Sequence, residues 1–168
     1  MKRFFSITLI LIALSTSSAY AGGFEFLFGP RLDVKNNNSN FFTAGMAFGG
    51  DYIKFGINYS HANPASTSFN AFKPYIMIDI PMEFGNFVIA PTIDFGPEIG
   101  FVAGQKTIDV MVLGFGLKTQ YYFTDMIGIG VTPVHFSNSF ATYTTGGVGL
   151  VKEYRMTYDL FFSLLMKW

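Results

Sequence analysis

The residues best suited to chemistry lie in the stretch 134–138, VHFSN. His135 and Ser137 could serve as the base and the nucleophile of an esterase, because a serine hydroxyl needs an adjacent base to attack an ester. Such a pair also needs a third group that holds the histidine in place. The alternative is that both are polar residues at the rim of a strand. The choice depends on the elements that position them.

Other catalytic or cofactor chemistry has little support in the sequence. The chain has two histidines and no cysteine, which leaves few ligands for a transition metal and excludes disulfides and thiol chemistry. Gly146 and Gly147 are not followed by the lysine and serine of a phosphate-binding loop. We therefore expect no cofactor and no bound metal.

Residues 1–21 predict a secretory signal peptide that is not part of the fold. Lys2 and Arg3 precede an apolar run, 4–14, and the stretch ends in the small-x-small sequence 19–21. Cleavage would leave one domain, 22–168, with nine basic residues against eleven acidic ones. Nucleic acid is not an expected partner, because binding it requires a basic face.

The composition favours a membrane protein built from strands. The chain is 50% hydrophobic and 18% aromatic but only 13% charged, whereas about a quarter of the residues in soluble domains are charged. Beyond residue 21, no apolar run approaches the roughly 20 residues that a transmembrane helix requires. A closed β-barrel is the other structure that can cross a bilayer, since its strands satisfy every backbone group.

Apolar and polar residues alternate in eight segments, as expected of barrel strands with one face toward lipid. In the last segment Tyr158, Phe162 and Trp168 share one parity, and Asp159 and Lys167 share the other. A helix would scatter these residues, so a period of two is favoured. The charges predicted to face the interior are Glu25, Arg31, Asp33, Lys54, Asp79, Asp94, Lys118, Glu153, Arg155, Asp159 and Lys167.

Turn signals separate these segments. The dipeptides at 50–51 and 85–86 are two-residue hairpin signals; the first would pair Phe48 with Ile53, and the second would pair Phe84 with Phe87. A third short turn is predicted at 123–125. Longer polar connections are predicted at 35–40, 62–72, 97–107 and 139–149. Short and long connections alternate in outer-membrane barrels, which have short periplasmic turns and longer outer loops.

In this pattern the chain resembles the eight-stranded outer-membrane barrels of Gram-negative bacteria, such as the OmpA membrane domain and OmpX. The terminal FFSLLMKW is similar to the signature that the barrel assembly machinery reads. That signature more often ends in Phe, whereas this sequence ends in Trp168. The resemblance implies an all-β, eight-stranded, antiparallel up-and-down barrel in the outer membrane. Its expected partners are the assembly machinery, outer-membrane lipid and lipopolysaccharide, and we expect a monomer.

The interior of an eight-stranded barrel is just wide enough for its own side chains. We therefore interpret the inward charges as a structural network of paired groups, with a proton or ion path as the less favoured alternative. A lipocalin-like secreted barrel would place the apolar set inside, which the alternating charges argue against. A wide pore is not expected.

VHFSN lies on the seventh strand, close to the predicted outer-leaflet boundary. Its parity with Ile127 and Ile129 predicts that His135 and Ser137 face lipid. There the segment resembles the His-x-Ser-Asn motif of PagL-type lipid A deacylases. The resemblance implies His135 as general base, Ser137 as nucleophile and Asn138 as a supporting residue.

The acid that this family uses to orient its histidine has no clear counterpart. By the family's spacing its place falls on Gly149 or Tyr158. Asp109 is the substitute, since closing the sixth and seventh strands around 123–125 would set it opposite Ser139 and diagonal to Ser137. A β-bulge at Pro133 would change the parity on which these placements depend.

We therefore predict an integral outer-membrane barrel with a structural, envelope or loop-mediated role. The alternative is a lipid A deacylase with His135, Ser137, Asn138 and Asp109 as its catalytic residues. The polar connections 62–72 and 139–149 could bind a partner, but they carry almost no charge that would identify it.

Overall fold

The computed structural model describes residues 22–34, 40–62, 69–102, 105–144, 147–150 and 156–168. These residues form an antiparallel sheet of ten β-strands and contain no helix. The strands are β1 Gly23–Asp33, β2 Asn40–Gly49, β3 Ile53–Ala62, β4 Phe69–Asp79, β5 Met82–Phe84, β6 Phe87–Val102, β7 Gln105–Tyr122, β8 Ile127–Thr144, β9 Gly147–Leu150 and β10 Met156–Lys167.

The sheet closes on itself because β10 pairs with β1 on one side and with β8 on the other. β5 continues β4 beyond Ile80 and Pro81, and both pair with β6. β9 and β10 both pair with β8. The ten segments therefore make eight barrel strands, and the predicted eight-stranded antiparallel barrel is confirmed.

Side chains alternate between a polar interior and an apolar outer surface. Along β1, Glu25 and Arg31 are buried, whereas Phe26 and Phe28 are exposed. The same division runs through the other barrel strands, with exposed outward groups that include Met46, Ile57, Ile76, Ile93, Phe115, Ile129 and Leu164. This is the inverse of a soluble protein, in which charged residues are almost never fully buried unless they are paired.

Two of the predicted connections, 97–107 and 139–149, are largely β-strand where the structure describes them. Residues 97–102 continue β6 and 105–107 begin β7, while β8 runs on through Thr144. The polar and glycine-rich composition suggested loops there, but pairing with the neighbouring strand decides the local structure.

The hairpin of β2 and β3 also differs in register from the prediction. Phe48 pairs with Phe55 and not with Ile53, and the Gly50 N–H donates to the Ile53 carbonyl at 3.0 Å. The shift is two residues, so the aromatic side chains keep the predicted outward parity. The predicted pairing of Phe84 with Phe87 is present.

Several predictions fall on residues that the structure does not describe. They are the signal peptide at 1–21, the inward charges Glu153 and Arg155, and the residues 35–39 and 63–68 within the longer connections.

A cluster of four charges fills the barrel near its short turns. Lys118 Nζ lies 2.8 Å from Glu25 Oε2 and 3.1 Å from Asp79 Oδ2. Lys54 Nζ lies 3.4 and 3.0 Å from the same two oxygens. Two anions and two cations balance, as burial requires. We call Glu25, Lys54, Asp79 and Lys118 the turn-side cluster.

An apolar layer lies above the turn-side cluster. Ala47, Tyr75 and Met77 pack together and are buried. Leu27 and Phe161 are buried as well and, with Tyr75 and Met77, line a cavity of about 20 Å³. A space of this size holds water at most.

A lysine on the outer wall tests whether that wall faces lipid. Ile93→Lys places an ammonium about 15 Å above the turn at Phe87 by strand rise and tilt. We expect a loss of about 2–4 kcal/mol in the free energy of unfolding in phospholipid vesicles, measured by urea titration. Phe123→Lys at the turn end is the matched control and should cost about 0–1 kcal/mol. Equal small losses would contradict a lipid-facing wall.

Candidate functional site: the buried His135 cluster

A bulge at Pro133 changes the parity of β8. On β10, Phe161 pairs with Thr132 but Asp159 pairs with His135, so two residues of β8 stand opposite one of β10. The pairing with β7 shifts at the same place. Proline has no N–H to donate to the ladder, which favours a bulge at this position.

The bulge turns His135 and Ser137 into the barrel. Their exposed fractions are 6% and 3%, whereas Val134 and Phe136 are exposed on the outer wall. The prediction that His135 and Ser137 face lipid is therefore wrong, because the extra residue at Pro133 reverses the alternation that holds from Ile127 to Thr132.

His135 lies between two buried carboxylates. Its Nδ1 is 3.0 Å from Asp159 Oδ2, and its Nε2 is 2.5 Å from Asp94 Oδ2. A carboxylate oxygen accepts hydrogen bonds, so both ring nitrogens are placed to donate and the ring then carries a positive charge. In this arrangement neither nitrogen can take up a proton as a general base.

Two further cations continue the cluster on either side. Lys73 Nζ pairs with Asp94 Oδ1. Arg31 Nη1 lies 2.7 Å from Glu98 Oε2, and Arg31 Nε lies 3.4 Å from Asp159 Oδ1. With a charged histidine the group has three cations and three anions. We call Arg31, Lys73, Asp94, Glu98, His135 and Asp159 the His135 cluster.

Hydroxyl groups complete the hydrogen bonding of Arg31. Arg31 Nε donates to Thr157 Oγ1 at 3.2 Å, and Nη1 donates to Ser60 Oγ at 3.3 Å. Ser60 in turn lies 2.8 Å from the Thr43 hydroxyl. A buried guanidinium needs such acceptors in addition to its ion pairs.

Ser137 joins the cluster through a carboxylate and not through the histidine. Its Oγ lies 3.5 Å from Asp159 Oδ2, the oxygen that His135 Nδ1 also contacts. Among the hydrogen bonds of the described residues, none connects Ser137 with His135. The two residues are neighbours on one carboxylate, which is not the arrangement of a nucleophile and its base.

Glycines on β7 make room for the histidine. A Cβ atom at Gly114 would lie 2.2 Å from Asp94 Oδ2 and 2.8 Å from His135 Nε2, and one at Gly116 would lie 2.8 Å from His135 Cδ2. These distances are too short for a side chain, so the sequence GFG at 114–116 is a local requirement of the cluster.

The other two candidate residues lie elsewhere. Asn138 is exposed on the outer wall. Asp109 pairs with Ile99 in the backbone register, and its side chain is not described. Val112 stands opposite Ser139, and Gly114 stands opposite Ser137. The predicted position of Asp109 beside Ser137 is therefore wrong, because the ladder between β7 and β8 has register shifts that uniform counting omits.

Sequence reasoning missed Lys73 as an inward charge. The connection was expected to continue to residue 72, whereas β4 begins at Phe69. Lys73, Tyr75, Met77 and Asp79 alternate and are all buried. Their common parity was the signal that could have placed Lys73 in the interior.

The described residues offer no metal site. None of their groups of three or more histidines, aspartates or glutamates could hold a metal ion. No helix among them is long and apolar enough to span a membrane.

A scan against protein-family models gave no match, and neither did a search of curated protein sequences. Solved structures match the fold. The Neisserial surface protein A structure has a TM-score of 0.58 and 9% identity, over 88% of this chain and 96% of that one. The N-terminal β-barrel domain of Pseudomonas aeruginosa OprF has a TM-score of 0.51 and 7% identity, over 87% and 97% of the two chains.

A looser similarity is to the outer membrane enzyme PagL, with a TM-score of 0.44 and 11% identity over 83% of this chain and 97% of that chain. The first two matches establish a shared fold, and at these identities no residue role follows from any of the three. The chain has the fold of the small eight-stranded outer-membrane barrels.

The contacts of His135 and Ser137 predict that their substitution lowers the free energy of unfolding by very different amounts. His135→Leu leaves the His135 cluster with two cations and three anions, and an uncompensated buried charge costs about 3–5 kcal/mol of unfolding free energy. Ser137→Ala removes a contact at the limit of hydrogen bonding and should cost less than about 1 kcal/mol. Urea unfolding of the refolded protein measures both. Similar costs for the two variants would contradict the cluster.

Proposed function

We propose that the protein is an integral outer-membrane barrel with a structural or envelope role, and that the connections beyond its outer rim present surfaces for interaction. One observation carries the proposal: the outer wall is apolar and exposed, whereas the charges lie inside in balanced clusters. Such a surface is stable in lipid, and the closed sheet satisfies its backbone there.

Aromatic residues at the turn end of the wall support this placement. Tyr52, Phe84 and Phe123 are exposed beside the short turns, and Trp168 is 69% exposed after β10. Aromatic girdles of this kind mark the membrane–water interface. Trp168 also follows β10, the strand through which we propose that the barrel assembly machinery recognises the chain.

The filled interior supports a role without a wide pore. The turn-side cluster, the apolar layer and the His135 cluster follow one another along the barrel axis. Two cavities between the described residues have room for water only, one of about 30 Å³ at the turn-side mouth and one of about 20 Å³ beside His135.

The alternative function, lipid A deacylation by His135 and Ser137, is less well supported by the geometry. An acyl ester in the outer leaflet would have to reach a serine hydroxyl that points into the barrel and is 3% exposed. His135 holds a carboxylate at each ring nitrogen. Asn138 is exposed on the outer wall, and Asp109 lies five positions along β7 from Gly114, the residue that stands opposite Ser137.

Refolding tests the membrane placement. We expect the chain 22–168 to fold in detergent micelles and in phospholipid vesicles with β-type circular dichroism. A closed barrel should also migrate faster on a gel before heating than after it. In planar bilayers the protein should show no conductance of the size of a general porin. A water-soluble β-protein without detergent would contradict the proposal, as would a large steady conductance.

Mass spectrometry of lipid A tests the alternative. Lipid A incubated with the refolded protein should keep all its acyl chains, because His135 has no nitrogen free to act as base. Ser137→Ala and His135→Ala proteins serve as controls. Loss of one acyl chain with the native protein, absent with both variants, would overturn the structural role in favour of the esterase.

A further inference from the structure

Polar side chains lie together on the outer wall at the loop ends of β3 and β4. His61 pairs with Asn70 across the two strands, and Tyr59 pairs with Phe72 two residues nearer the turn end of β3. Phe101 stands beside Asn70 on β6. We call Tyr59, His61, Asn70, Phe72 and Phe101 the β3–β4 rim patch.

Hydrogen bonds fix the polar side chains of the patch. The Tyr59 hydroxyl donates to Asn70 Oδ1 at 2.6 Å, and His61 Nδ1 lies 2.8 Å from the same oxygen. Because an amide oxygen only accepts, His61 Nδ1 carries a hydrogen. Nε2 of His61 and the amide nitrogen of Asn70 take no part in this contact, and within the described part of the chain they can donate to or accept from a further partner.

Aromatic rings surround these polar groups. The rings of Tyr59 and His61 stack with centroids 6.5 Å apart, and Tyr59 and Phe72 lie 5.0 Å apart. Phe72 meets Phe101 edge to face at 6.3 Å. Ring faces carry partial negative charge, so they suit the slightly positive C–H groups of a sugar.

The patch lies close to the outer edge of the apolar band expected of such a barrel, a few ångströms from the headgroups of the outer leaflet. His61 lies eight residues beyond Ile53, or roughly 20 Å from the turn end at the usual rise and tilt, and the apolar band of such barrels is about 25 Å tall. A polar group in contact with hydrocarbon alone would be costly. At this height a lipid headgroup is the available partner.

We propose that the β3–β4 rim patch binds the sugar headgroup of an outer-leaflet glycolipid of the lipid A type, through His61 Nε2 and the amide nitrogen of Asn70. The inference rests on the outer-membrane placement proposed above. We propose the sugar and not a phosphate as the recognised group because the lysines and arginines whose side chains are described lie inside the barrel or at its turn end; they are Arg31, Lys54, Lys73, Lys118 and Lys167.

Native mass spectrometry of the refolded protein, released from micelles with added lipid, tests the proposal. Three lipids are compared: lipid A, lipid A from which the phosphates have been removed, and phosphatidylethanolamine. We expect both forms of lipid A to be retained in preference to the phospholipid. His61→Phe keeps the ring but removes its hydrogen bonds, and retention of lipid A should fall about fivefold to tenfold.

Tyr59→Phe should reduce retention about twofold to fivefold, since it removes a hydroxyl that orients Asn70. Tyr121→Phe removes the same group from the turn end of the wall and should change nothing. Equal retention by all three variants would overturn the proposal, as would a preference that disappears with the phosphates. A chain that fails to form a heat-modifiable barrel contradicts the membrane placement itself, whereas an intact barrel without lipid A preference contradicts this inference alone.

Discussion

Burial of charge inside a closed sheet is the constraint on which the rest of this structure depends. An eight-stranded barrel has an interior that its own side chains fill, and a charge placed there is tolerated only beside its opposite. The turn-side cluster meets this condition with two lysines and two carboxylates. The larger cluster above it meets the condition through His135, which stands between Asp94 and Asp159.

The position of His135 links the local backbone to the charge balance of the whole barrel. Without the extra residue at Pro133, the histidine would face lipid and the two aspartates would keep only Lys73 and Arg31 as partners. The glycines at 114 and 116 supply the space that the ring needs. The Tyr158 hydroxyl donates to the Pro133 carbonyl, so the irregular backbone also has a hydrogen-bond partner.

Much of this fold could be predicted because the outer and inner faces differ so strongly in chemistry. In β1 and β10 the alternation is unbroken, and period-two counting placed Glu25, Arg31 and Asp159 correctly. In β8 it failed, because whether a proline produces a bulge depends on how both neighbouring strands pair. The sequence does not contain that information locally. The same limit applies to Asp109, whose predicted neighbour depended on a ladder without register shifts.

The buried position of His135 and Ser137 changes the interpretation of the candidate site. A histidine and a serine two residues apart suggested a base and its nucleophile, yet the structure places both on one carboxylate in the interior. Their residue types fit either role, and the direction of the side chains decides between them. The remaining outward polar residues on β3 and β4 then become the part of the wall best suited to contact something other than acyl chains.

The most direct test of this account is the lipid accessibility of single cysteines along β8. The chain has no cysteine, so each introduced thiol can carry one nitroxide label in vesicles. Accessibility to oxygen dissolved in lipid should be high at positions 129, 131, 134 and 136 and low at 130, 132, 135 and 137, with the change of phase at Pro133. An unbroken alternation, with 133, 135 and 137 facing lipid, would contradict the bulge and the buried His135 cluster.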